Sequence, residues 1–196
     1  MPKNEVHRTL SCCYFNAPGP QNTDEVLNVV KCRAEELSIN TILVATCSGK
    51  TGLRALEILG TEKTIVAVTH VTGFTGPNKQ ELPDKVREEL IRKGAQVFTG
   101  QHAFGGVGRG IRNKLGTFQV DEIMAWTLRL FGQGTKVAIE LALMAADAGL
   151  VRTDENVISI GGTATGADTA LVIKPANSAN VFDLKVREVI CKPFNL

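Results

Sequence analysis

Between residues 41 and 59 the hydrophobic pattern of the chain changes period. Residues 42–45, Ile-Leu-Val-Ala, are continuously apolar or small, as in a strand buried on both faces, whereas Leu53, Leu56, Ile58 and Leu59 follow at helical spacing. The stretch between them reads as a tight loop joining strand to helix. Residues 64–69, Thr-Ile-Val-Ala-Val-Thr, supply a second strand of the buried type and complete a β-α-β unit. Upstream, residues 11–15 form a short β-prone run stopped by Ala17-Pro18-Gly19-Pro20. Asn22 is placed to cap the next helix, with Glu25 completing a capping box and Val26, Val29, Val30, Ala34 and Leu37 on one face.

Downstream, Pro83-Asp84 starts a helix to Lys93 with Val86, Leu90 and Ile91 inward, and residues 96–99 form a third strand. Residues 100–119 carry six glycines and no clear period, which predicts a long loop or a lid over a site. A helix over 120–130 offers Ile123, Met124, Trp126 or Thr127, and Leu130 to the core. The next starts at Thr135 and from Val137 to Ala148 is apolar almost all round and therefore buried, with Glu140 and Asp147 as interruptions. A buried Glu140 must find a partner. Strands at 156–160 and 170–173 flank a glycine-threonine loop at 161–169, and 185–192 alternates as a last strand. This order predicts one α/β domain over residues 1–196, with a mostly parallel sheet covered by helices on two sides and antiparallel additions near the C-terminus.

A chain of 196 residues with 43% hydrophobic content suffices for one well-packed domain. The formal charge of +2 gives no basic field for nucleic acid, which leaves small anionic ligands. Five cysteines, Cys12, Cys13, Cys32, Cys47 and Cys191, make no C-x-x-C pair and suit a reducing compartment. No signal-peptide core and no membrane-length apolar run is visible, so a cytoplasmic location is expected. Homo-oligomerisation stays open.

The loop after the first buried strand contains Ser48, Gly49, Lys50, Thr51 and Gly52, a composition that can aim N–H groups, hydroxyls and a helix N-terminus at one anion. A triphosphate-binding P-loop needs a glycine five residues before Gly49, where this chain has Val44. A shorter loop suits one terminal phosphate. Residues 105–110, Gly-Gly-Val-Gly-Arg-Gly, lack the final spacing of a dinucleotide fingerprint. Arg109 retains a guanidinium able to clamp a phosphate or stack on a ring. His7, His70 and His102 share no metal-ligand spacing. His70 and His102 each follow a strand and so face the ligand end of the sheet, where either can hydrogen-bond a ligand or move a proton. Cys47 opens a helix, but no base is identifiable beside it.

Thr46-Cys47-Ser48-Gly49-Lys50-Thr51 resembles the effector-phosphate loop of the pyruvate kinase C-terminal domain, T-x-S-G-[RK]-[ST], at every position. Residues 64–69 are similar to that domain's next strand, and 161–169 to its glycine-rich effector loop. The resemblance implies a three-layer α/β/α sandwich with a mostly parallel sheet. The chain is too short for the catalytic barrel, so pyruvate kinase activity is not expected. A closer resemblance, over residues 14–193, is to stand-alone prokaryotic proteins like the pyruvate kinase α/β domain. It rests on Tyr14-Phe15-Asn16-Ala17-Pro18-Gly19, Val68-Thr69-His70, Leu128-Arg129-Leu130-Phe131-Gly132-Gln133-Gly134, Met144-Ala145-Ala146-Asp147-Ala148-Gly149 and Gly166-Ala167-Asp168-Thr169-Ala170.

That resemblance implies FMN as cofactor, its phosphate on Thr46, Ser48, Gly49, Lys50 and Thr51. Gly162, Thr163 and Thr169 would complete the phosphate or ribityl site, and His70, Thr72, Gly73, His102 and Arg109 would border the ring. Relatives often carry a second serine and an acidic residue in the phosphate loop, where this chain has Cys47-Ser48-Gly49-Lys50. A flavin would supply the chemistry and make an oxidoreductase conceivable. The other reading is a non-catalytic regulatory module that binds a sugar phosphate. In both, the partner is a small phosphorylated ligand.

Overall fold

The computed structural model describes residues 7–195. The expectation of no signal peptide falls in part on residues 1–6, outside the described residues. Among these, seven strands form one sheet: β1 (Cys13–Phe15), β2 (Thr41–Ala45), β3 (Thr64–Thr69), β4 (Gln96–Thr99), β5 (Val157–Gly161), β6 (Thr169–Lys174) and β7 (Lys185–Pro193). Their spatial order is β1-β7-β6-β5-β2-β3-β4. Only β6 runs antiparallel to its neighbours; the other pairs are parallel.

Among the described residues there are six α-helices: α1 (Thr23–Glu36), α2 (Lys50–Leu59), α3 (Asp84–Arg92), α4 (Val107–Leu115), α5 (Val120–Arg129) and α6 (Gln133–Asp147). Because successive strand side chains point to opposite faces, each central strand feeds two cores. Ile42, Val44, Ile65, Ala67, Ile158 and Ile160 pack with Val26, Val30, Ala55, Leu59 and Leu90 of α1, α2 and α3. Leu43, Val66, Val68 and Val157 pack with Ala125 of α5 and Ala138, Leu141, Ala142 and Ala145 of α6. This is the expected α/β/α sandwich. Among the described residues no helix is long and apolar enough to cross a membrane.

Several local expectations are corrected. Asn22 closes a 3-10 turn, Pro20–Asn22, and its amide donates to Ala17 O, so no capping box forms. Thr23 Oγ1 instead donates to Pro20 O and accepts the Ala167 N–H. Residues 100–119 contain α4, whose interspersed glycines hide its helical period. Ile91 is exposed, with Leu90 taking the buried position of α3. On α5 the expectation holds for Met124, which packs against the core beside Leu128, and fails elsewhere. Ala125 and Glu122 are buried, while Ile123, Trp126 and Leu130 are 54%, 59% and 75% exposed. Ile123, Trp126 and Leu130 therefore point away from the core, because Ala125, flanked by Met124 and Leu128, is the side on which the helix lies close to α6.

Candidate functional site

Strand order reverses beside β2. The chain runs from β2 outward through β3 to β4 and returns to β5 on β2's other flank. Loops leaving the carboxyl ends of β2 and β5 therefore diverge and leave a crevice, the usual ligand position in open α/β sheets. Here the crevice is a cleft of about 860 Å³ lined by Thr46, Cys47, Ser48, Lys50, Thr51, His70, Phe74 and the 162–166 loop. Thr23 and Asp24 of α1 and Gln133 of α6 join Lys50 and Thr51 of α2 along it. Three helices thus bring N-terminal turns to one space, where their dipoles favour an anion.

The end formed by α2 depends on Gly49. Its φ of +90° is a left-handed conformation, and a Cβ there would come within 2.2 Å of Val86 Cγ1. Thr46 Oγ1 accepts the Gly52 N–H at 3.3 Å, and no side chain caps α2 at Gly49. Ser48 and Lys50 are exposed to the cleft, and no acidic residue occupies the first turn. Asp24, the carboxylate on the opposite wall, is held by Arg54 through two 2.8 Å contacts, which lower its proton affinity. The local field is thereby left to Lys50 and the helix ends.

Asp168 builds the opposite loop, a role not assigned from sequence although it stands within Gly166-Ala167-Asp168-Thr169-Ala170. Its carboxylate is fully buried and accepts the N–H groups of Gly19 and Thr163 and the Thr169 hydroxyl, at 3.1, 3.0 and 2.8 Å. Beneath it α6 approaches the sheet without intervening side chains. A Cβ on Gly161 would meet Gly134 O at 2.3 Å, and one on Gly134 would meet Thr169 Oγ1 at 2.2 Å. These two glycines let the α6 N-terminus reach the cleft.

The remaining wall is aromatic. His70 and Phe74 have ring centroids 4.1 Å apart, and His102 stacks on Phe74 at 5.3 Å. His102 Nε2 accepts the Val71 N–H at 3.3 Å, and its Nδ1 lies 3.8 Å from Glu140 Oε2. Glu140 also accepts the Phe104 N–H at 2.9 Å and pairs with Lys136 one turn away on α6. The expectation of a partner for Glu140 is met by a buried network that ties the loops after β3 and β4 to α6. Burial pulls the His102 imidazole down to about 4 against an opposing pull from Glu140, and burial likewise lowers the Lys136 ammonium.

Of the residues singled out in the sequence, Thr46, Ser48, Lys50, Thr51, His70 and Gly162 line the cleft together. Gly49 shapes the α2 cap behind them. Thr163 is engaged through its N–H by Asp168, and Thr169 is fully buried rather than on the cleft surface. Thr72 and Gly73 lie in the exposed loop that carries Phe74, where Thr72 Oγ1 accepts from Gln80 and the Gly73 N–H donates to Lys79 O. His102 stands behind Phe74. Arg109, on α4, lies 5.0 Å from the Phe74 ring centroid and lines a separate cleft of about 380 Å³ with Arg112, Trp126 and Arg129. Among the described residues no group of three or more His, Cys, Asp or Glu is placed to hold a metal ion.

Fold and cleft define an α/β/α protein with an open cleft at the switch point of its sheet. The pyruvate kinase alpha/beta domain model matches residues 24–173, most of the chain, and the chain belongs to that family. Similar solved structures include a pyruvate kinase of Cryptosporidium parvum, with 15% identity and a TM-score of 0.36 over 71% of this chain and 20% of that one. Another, pyruvate kinase of the same organism in complex with ADP, shows 18% identity and a TM-score of 0.37 over 80% of this chain and 24% of that one. The chain thus spans a quarter or less of those proteins.

Proposed function

We propose that this protein binds FMN, with the phosphate ester at the α2 N-terminus and the ring towards His70 and Phe74. The observation that carries this reading is the convergence of the 46–51 and 162–166 loops on one cleft of about 860 Å³, within the size range of small-molecule sites. A phosphate at one end would meet Lys50, the Ser48 and Thr51 hydroxyls and unpaired helix N–H groups. A planar ring at the other would meet aromatic faces. Gentle purification should give a yellow protein with a flavin absorption spectrum, and titration should quench FMN fluorescence. A colourless preparation that leaves FMN fluorescence unchanged overturns the assignment.

The same α2 end supports the second reading, a regulatory module that senses a sugar phosphate, since such a ligand needs the anion site but no aromatic wall. Thermal-shift screening separates the two, because a ligand bound to the native state raises apparent stability with its concentration. Stabilisation by a sugar bisphosphate and not by FMN selects the regulatory module.

A further inference from the structure

Cys47 lies beside a base that its sequence neighbourhood does not disclose. Its sulfur is 3.3 Å from His70 Nε2 and 3.4 Å from Nδ1, and His70 Nδ1 is 2.7 Å from Glu81 Oε2. Glu81 Oε2 accepts the Nδ1 hydrogen and selects that tautomer, which leaves the lone pair on Nε2. The near-equal sulfur distances put Sγ over the ring rather than in its plane, so rotation about χ1 is needed to align thiol and Nε2. Resting geometry of this kind is common before a substrate arrives. Both Cys47 and His70 line the cleft, and the uncapped N-terminal turn of α2 follows the thiol within three residues. Burial, reinforced by Glu81, pushes the Cys47 thiol up to about 11, so it rests protonated and becomes a nucleophile only as its proton leaves.

We propose that Cys47, His70 and Glu81 form a thiol–imidazole–carboxylate relay with acyl-transfer activity towards small activated esters and thioesters. His70 Nε2 takes the thiol proton as Sγ bonds to the acyl carbon and the carbonyl π electrons move to oxygen. N–H groups at the start of α2 face that oxyanion. Collapse breaks the bond to the leaving group, which takes the proton back from His70, and the acyl group remains as a thioester on Cys47. Water then attacks the thioester carbonyl as His70 takes its proton, and collapse breaks the C–S bond to release a carboxylic acid while His70 returns that proton to the Cys47 sulfur. Glu81 holds the imidazole and touches no reacting atom; it is a positioning residue. The inference does not require a flavin.

The test uses the whole chain, stripped of any flavin, with p-nitrophenyl acetate as probe and peptide mass spectrometry as readout. Acetyl should accumulate on Cys47 ahead of the more exposed Cys32, and Cys47→Ala should remove that adduct. His70→Gly should slow Cys47 acetylation by roughly a hundredfold, with recovery on adding imidazole. Glu81→Gln should slow it less, and Glu81→Asp should restore part of the rate, while unchanged melting curves show that each variant is folded. Acetylation confined to Cys32 or Cys12, or an unchanged Cys47 rate in folded His70→Gly, overturns the relay. Because FMN is absent throughout, neither result depends on whether the protein binds flavin.

Discussion

The carboxylate of Asp168 accepts the backbone N–H of Gly19 at 3.1 Å across 149 residues of chain, and its other bonds hold Thr163 and Thr169. One buried anion therefore fastens the entry to α1 to the loop between β5 and β6. Asp168→Ala leaves those donors without their partner and should lower stability by about 3 kcal/mol, read from urea denaturation. Asp168→Asn retains an acceptor and should cost less. Both should weaken binding in the cleft, because Thr163, between the lining residues Gly162 and Ala164, loses the carboxylate that holds its N–H.

Lys50→Ala removes the exposed cation at the α2 end without touching the core. Under the proposed FMN reading, FMN affinity should fall about tenfold, the size expected for one charge-assisted contact, with little change in melting temperature. Titration by fluorescence measures it, and unchanged affinity places the phosphate elsewhere. Gly49→Ala should act on folding instead, since its Cβ would collide with Val86 in a left-handed backbone, and a loss of about 2 kcal/mol is expected.

Neutral His102 accepts the Val71 N–H, so protonation at Nε2 would set a donor against a donor. The unfolded chain takes up this proton near the ordinary value of about 6.5, whereas the native imidazole resists until about 4. Its contribution is complete above the unfolded value and is lost as pH falls through this window. Stability should therefore decline between pH 6.5 and 4, by at most about 3 kcal/mol from this group. Urea midpoints at pH 7 and 4.5 should show the drop, and His102→Gln should flatten it.

Lys136→Met strands the buried Glu140 carboxylate and should destabilise the protein by about 3 kcal/mol. Exchanging both members, Lys136→Met with Glu140→Leu, should recover a large part of that loss. If the single and double variants unfold at the same urea concentration, the pair is not coupled as its geometry requires.

Much of the fold was legible because the relevant signals are local. Continuous apolar runs at β2 and β3, and the nearly all-apolar α6, are written in a few neighbouring residues whose period reflects which faces lose water. The 46–51 loop was legible for the same reason, since small residues, a cation and a helix start lie within six positions. Glycines obscured α4, whose segment has no readable period. The apolar positions on α5 gave the right helix but placed only Met124 correctly, with Ile123, Trp126 and Leu130 exposed, because periodicity shows that a face is apolar and not which neighbour meets it.

The sequence by itself thus determined the alternation of strands and helices, the two-sided burial of the sheet and the anion-suited loop at the head of α2. Tertiary structure alone decided that Cys47 meets His70 and Glu81, that Glu140 joins Lys136 to His102 and that Asp168 reaches Gly19. Cys47 meets His70 because β2 and β3 pair in parallel and end side by side, and the α6 contacts arise because that helix packs closely over Gly161. Such contacts depend on the path of the whole chain, and no short-range pattern of hydrophobic and polar residues encodes them.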